Sequence, residues 1–66
     1  MNYVIYEDAN ADGGVAILIP ADQSLTLDEI ILKDIPPSTQ YRIVTPDEAY
    51  AQRASGSPTF DSITPS

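Results

Sequence analysis

Apolar runs of β type alternate along this chain with short segments at helical spacing. The opening Asn2-Tyr3-Val4-Ile5-Tyr6 is aromatic and β-branched. A polar stretch closed by glycine, Glu7-Asp8-Ala9-Asn10-Ala11-Asp12-Gly13-Gly14, leads into a second such run, Val15-Ala16-Ile17-Leu18-Ile19. The pattern predicts a β-hairpin. Its loop exceeds the two-residue minimum, so Gly13 or Gly14 is expected to take a positive φ and set the register. Pro20 ends the second strand. Tyr3, Ile5, Val15, Ile17 and Ile19 share one parity, and Val4, Tyr6, Ala16 and Leu18 the other. Both faces of such a hairpin are apolar and both require cover.

Ser24 to Asp34 reads as a short helix. Thr26 with Glu29 three residues on forms a capping box, Asp28 suits the positive end of the helix dipole, and Leu27, Ile30 and Ile31 fall on one face. Pro36-Pro37 stops it, because proline at 36 disfavours helical geometry at Ile35 and neither proline donates a backbone hydrogen bond. A third β run follows at Gln40-Tyr41-Arg42-Ile43-Val44. Thr45-Pro46-Asp47-Glu48 then supplies an N-cap residue, a first-turn proline and a Glu at the third position, predicting a helix from Pro46 to about Arg53.

These elements define an α+β protein, a small β-β-α-β-α unit with a sheet of about three strands covered by helix on one face. Residues 1–54 form the expected domain and residues 55–66 an extended or disordered Ser/Pro-rich tail. Within the tail, Phe60 and Ile63 are isolated apolar residues, candidate anchors for a neighbouring subunit. Deleting the tail is expected to leave the fold intact and weaken assembly. The second sheet face is expected to gain its cover from other chains, by self-association or incorporation into a symmetric assembly.

Composition narrows the chemistry. The 66 residues include ten Asp or Glu against three Lys or Arg, for a net charge of -7, and no His, Cys or Trp. No disulfide, thiolate site or His base is available. The charge opposes binding to nucleic acid or to an anionic membrane surface. The longest apolar run, Val15 to Ile19, is far shorter than the ~20 residues of a spanning helix, and the N-terminus lacks the basic start of a signal peptide, so a soluble, unexported chain is expected.

Asp8-Ala9-Asn10-Ala11-Asp12-Gly13 matches the opening of a calcium loop, with Asp8, Asn10 and Asp12 as candidate ligands, but its twelfth position is Ile19 where the motif has Glu. Hairpin loops use the same residues, and no metal or other cofactor is expected. The adjacent acids Asp28-Glu29 and Asp47-Glu48 have capping roles, and Ser24, Ser38 and Ser55 have no base to activate them, so no catalytic residue is assigned. Arg42, mid-strand, is a candidate for a local ion pair or a contact between subunits.

Tyr3-Val4-Ile5-Tyr6, Val15-Ala16-Ile17-Leu18-Ile19-Pro20-Ala21, Leu27-Asp28-Glu29-Ile30, Lys33-Asp34-Ile35-Pro36 and Tyr41-Arg42-Ile43-Val44 together resemble a group of small tailed-bacteriophage proteins often encoded beside tail genes. The resemblance spans roughly residues 2 to 48. Those relatives end in an Asp-, Arg- and aromatic-rich segment containing tryptophan, where this chain has Ala51-Gln52-Arg53 and its Ser/Pro tail. The resemblance implies a phage context and transfers no functional residue. The resulting expectation is a non-enzymatic virion structural or assembly protein, in the tail or another part of the particle. It would be made in the host cytoplasm and hold other virion proteins or itself through Phe60, Ile63 and Arg42. The alternative is a soluble acidic inhibitor or regulator of a basic host protein.

Overall fold

The computed structural model describes every residue from Met1 to Ser66. Its strands are β1 (Tyr3–Glu7), β2 (Val15–Leu18), β3 (Gln40–Val44) and β4 (Ser62–Ile63), and its helices are α1 (Leu27–Asp34) and α2 (Pro46–Ser55). The strands form one sheet in the order β2-β1-β3-β4, with every neighbouring pair antiparallel. The sheet therefore has one strand more than expected. Ser62 and Ile63, in the segment read as tail, pair with Tyr41 and Gln40.

Local chemistry places each element. Gly13 and Gly14 both adopt positive φ, 69° and 74°, in a 3-10 turn, and Asp8 N donates to Gly14 O at 3.0 Å to close the hairpin. The capping box of α1 is complete: Thr26 Oγ1 accepts from Glu29 N at 3.2 Å and Glu29 Oε1 accepts from Thr26 N at 2.9 Å. Ile35 is extended, as a residue preceding proline should be. Thr45 caps α2 by accepting from Glu48 N at 3.3 Å, and the helix runs to Ser55 before Gly56 ends it at φ 72°.

Side chains alternate across the sheet, and paired residues share a face. Ile5 lies beside Ile17 and Arg42, and Val4 beside Leu18 and Ile43. On the first of these faces Ile5, Val15 and Val44 pack with Ala49 of α2, bordered by Tyr3, Ile17 and Phe60. On the other, Val4 packs with Ile31 of α1 and with Ile35, bordered by Tyr6, Leu18, Leu27 and Tyr41. The sheet is thus covered on both faces, α2 on one and α1 on the other. The cover expected from a neighbouring chain comes from α2 of the same chain. A small residue at position 49 lets that helix sit close over Ile5 and Val15. Val4, Ile5 and Val15 are the largest fully buried side chains, each contributing about 1.5–3 kcal/mol by its removal from water.

The chain end is part of this structure. Thr64, 3 % exposed, is the one buried polar residue. Its Oγ1 accepts from Thr39 N and donates to Pro36 O, both at 2.8 Å. Its backbone N donates to Thr39 O at 2.9 Å, and its carbonyl accepts from Ser38 N at 3.2 Å. The segment expected to be dispensable therefore seals the turn between α1 and β3, while Phe60 fills the edge of the core.

Candidate protein-docking edge

Successive residues of an antiparallel strand turn their backbone N–H and C=O groups alternately toward one neighbour and away from it. The Asp8–Gly14 bond and the register of Tyr6 with Ala16 and of Val4 with Leu18 put the even-numbered residues of β2 toward β1. The N–H and C=O groups of Ile17 and, one residue past the strand, Ile19 face outward, and those of Val15 point the same way but are buried, the residue being 1 % exposed. No strand lies beyond them, and none of the turn, loop and cap hydrogen bonds uses them. Natural sheet edges are guarded by Lys, internal proline, bulges or extreme shortness. Residues 15 to 19 carry none of these and no charge, and proline enters only at position 20. Ile19 is 48 % exposed and Ile17 half-buried beside it.

The opposite edge is built differently. β4 is two residues long, and Ile63 is 66 % exposed there. Arg42 is engaged within the chain: its Nη1 donates to Thr59 Oγ1 at 2.8 Å and its Nε lies 3.7 Å from Asp61 Oδ2. Of the three residues proposed from the sequence as partner contacts, Arg42 is tied to residues 59 and 61, Phe60 is packed on the core and Ile63 projects from the surface.

The candidate metal loop folds on itself. Asp8 Oδ1 accepts from Asn10 N at 2.9 Å and Asp8 O from Ala11 N at 3.1 Å, an Asx turn of the kind that Asp favours. No three acidic side chains converge closely enough to hold an ion. Where β2 ends, a groove of about 190 Å³ opens between Met1, Pro20, Leu25, Leu27 and Ile30, with Asp22 on its rim. Asp22 Oδ1 accepts from Ser24 Oγ at 2.6 Å and Ser24 N at 2.9 Å, and these bonds, the hydroxyl's first, hold its carboxyl below the usual 3.8.

Charge is unevenly spread. Glu7, Asp8, Asp12, Asp22, Asp28 and Glu29 all precede the first cationic side chain, Lys33. Asp61 is the only carboxylate within ion-pair reach of a cationic group. Arg53 instead lies over the ring of Tyr50, 5.5 Å from its centre, and Tyr50 meets Tyr3 edge-on at 6.3 Å. Lys33 nonetheless lies near enough to Asp22 for its charge to help hold that carboxyl low, after the two Ser24 bonds.

A scan against protein-family models and searches of curated proteins and of solved structures give no match to this chain.

Reading the residues alone misses the open edge and Thr64. The outward turn of the Ile17 and Ile19 backbone groups depends on the hairpin register, which the two glycines set jointly. A signal for β4 was present in Ser62-Ile63-Thr64, a short run with two β-branched residues between prolines.

Proposed function

We propose that this protein is a non-enzymatic structural or assembly component of a phage particle, made in the host cytoplasm and working through protein–protein contacts. The observation that carries the reading is the unguarded outer edge of β2, with outward backbone groups at Ile17 and Ile19 and an apolar side chain exposed at Ile19. Edges of this kind are templates for pairing with another chain. The likeness of residues 2 to 48 to small tailed-phage proteins supports the setting. Because Phe60 and Arg42 are occupied within the chain, the contact surface is assigned to β2, with Ile63 as an accessory contact on the far edge. Quantitative mass spectrometry of purified particles tests the proposal. Abundance in fixed proportion to the major capsid and tail proteins is expected, and absence from particles overturns it.

The second reading, a soluble acidic inhibitor or regulator of a basic host protein, is favoured by the lack of cationic partners for every carboxylate but Asp61. It predicts absence from particles and an affinity that falls as salt screens the charge.

A further inference from the structure

We infer that residues 57–66 are an exchangeable strap: where copies of this chain are held close together, the strap of one copy replaces its neighbour's on the outer edge of β3, so that each copy completes the other's sheet. The inference rests on the reading of an assembly component and deepens it, naming a second copy as the partner and the strap as the contact. Directional bonds, more than apolar burial, hold the strap in place. Thr64 bonds to Pro36, Ser38 and Thr39, and Asp61 N donates to Tyr41 O at 3.3 Å. Thr59 accepts from Arg42 and donates its N–H to Gln52 Oε1, and Arg42 also lies beside Asp61. Of the strap's side chains only Phe60 packs on the core, and Ile63 is 66 % exposed. A second copy's strap offers the same donors, acceptors and ring. Exchange therefore conserves every one of these contacts, and the balance between the two forms falls on the hinge.

The hinge has two conformations open to it. Gly56 ends α2 at φ 72°, and a Cβ there would meet nothing within 4 Å. Space does not call for glycine at this position, but the backbone conformation does, and glycine passes from it to an extended form with no steric penalty. Pro58 biases Ser57 toward extended geometry. Ala54 to Ser57 are exposed, and the bond that turns the chain back, from Ser57 N to Ser55 Oγ at 3.1 Å, joins groups that water readily serves instead. Concentration then selects the form. In the free chain the strap meets its own β3 at an effective concentration on the order of millimolar, which favours the closed monomer in dilute solution. The charge of -7 on each copy adds repulsion that salt screens. Copies crowded together in a particle overcome both terms.

The test uses the full chain, half of it isotope-labelled and half unlabelled, mixed and held folded at millimolar concentration in screening salt. Sedimentation reads the mass, and isotope-filtered NMR reads which copy each Phe60 contacts. A dimer fraction that grows with concentration is expected, with contacts from Phe60 of one copy to the Ile5 cluster of the other and amide shifts that differ from the monomer's only around residues 55–59. Gly56→Ala strains the closed hinge and leaves the extended one unstrained, so the dimer association constant should rise at least about ten-fold. Two results overturn the inference: wild type and Gly56→Ala both remaining monomeric at millimolar concentration, or a dimer in which every Phe60 contact lies within one copy. Abundance of the chain in particles together with either of these sinks strap exchange and leaves the proposed function standing. Absence from particles overturns the proposed function whichever way the strap behaves.

Discussion

The hydroxyl of Thr64 accepts the backbone N–H of Thr39 across a gap of 25 residues, at 2.8 Å, and thereby ties the end of the chain to the turn that opens β3. The same oxygen donates to Pro36 O. A Pro-Pro turn has few backbone donors of its own, so the part-buried carbonyl of Pro36 lacks a partner within the turn. Thr64 supplies one.

Thr64→Val keeps the shape and removes both side-chain hydrogen bonds, leaving Thr39 N–H and Pro36 C=O without partners. Leaving buried groups unpaired costs about 1–3 kcal/mol, and for these two part-buried groups the lower end, about 1 kcal/mol, is expected. A lower midpoint in urea with an unchanged slope is expected. Removing residues 57–66 should do more, because it also strips Phe60 from the core beside Ile5 and Val15. Cooperative unfolding at wild-type stability after that deletion would show the tail to be an appendage.

Ser38 is the only non-glycine residue with positive φ, at 60°, and it sits in the same turn. A left-handed conformation costs an L-residue roughly 1–2 kcal/mol, part of which glycine recovers at the expense of its own chain entropy. Ser38→Gly is expected to raise stability by about 0.5–1 kcal/mol, measured by thermal unfolding.

The capping box of α1 carries a pH dependence of known sign. The backbone N–H of Thr26, then its side chain, hold the Glu29 carboxyl below its ordinary 4.5. The folded state therefore favours the ionised form. The contribution is fully present above about pH 4.5 and is lost as pH falls through the lower value of the folded state. Glu29→Ala should melt below wild type at neutral pH, and the difference should close under acid conditions. A difference that stays constant down to acid pH would remove the carboxylate from the cap.

Arg42 and Asp61 join β3 to the residue preceding β4 through an exposed pair at 3.7 Å. Exposed pairs of this kind contribute roughly 0.2–1 kcal/mol and less in salt. A double-mutant cycle of Arg42→Gln and Asp61→Asn should return a coupling in that range at low salt and close to nothing at high salt. The Arg42–Thr59 bond makes Arg42→Gln the more harmful single change.

Much of the fold was legible in the residues because its signals are local. Thr26 with Glu29, and Thr45 with Pro46, mark both helix starts, and Gly13 and Gly14 mark the hairpin. Two long-range relationships were not legible. That α2 covers the face of Ile5 opposite α1 depends on the chain's path after β3, which no local pattern encodes. That Ser62 and Ile63 form a strand depends on Thr64 finding Pro36 and Thr39, residues distant in sequence. From composition alone the same tail resembles a linker, since its apolar residues are few and its prolines many. The metal reading of Asp8, Asn10 and Asp12 and the turn reading share the same residues, and here Asp8 turns its carboxylate onto Asn10.

Hydrogen exchange of the free chain under native conditions tests the central claim, that the two helices and the tail complete the fold and leave β2 open on its outer side. Ala16 and Leu18 amides, bonded to β1, should exchange slowly, while the Ile17 and Ile19 amides should exchange quickly. Uniform protection along Ala16 to Ile19 would contradict the account, because it would mean that the edge is already covered.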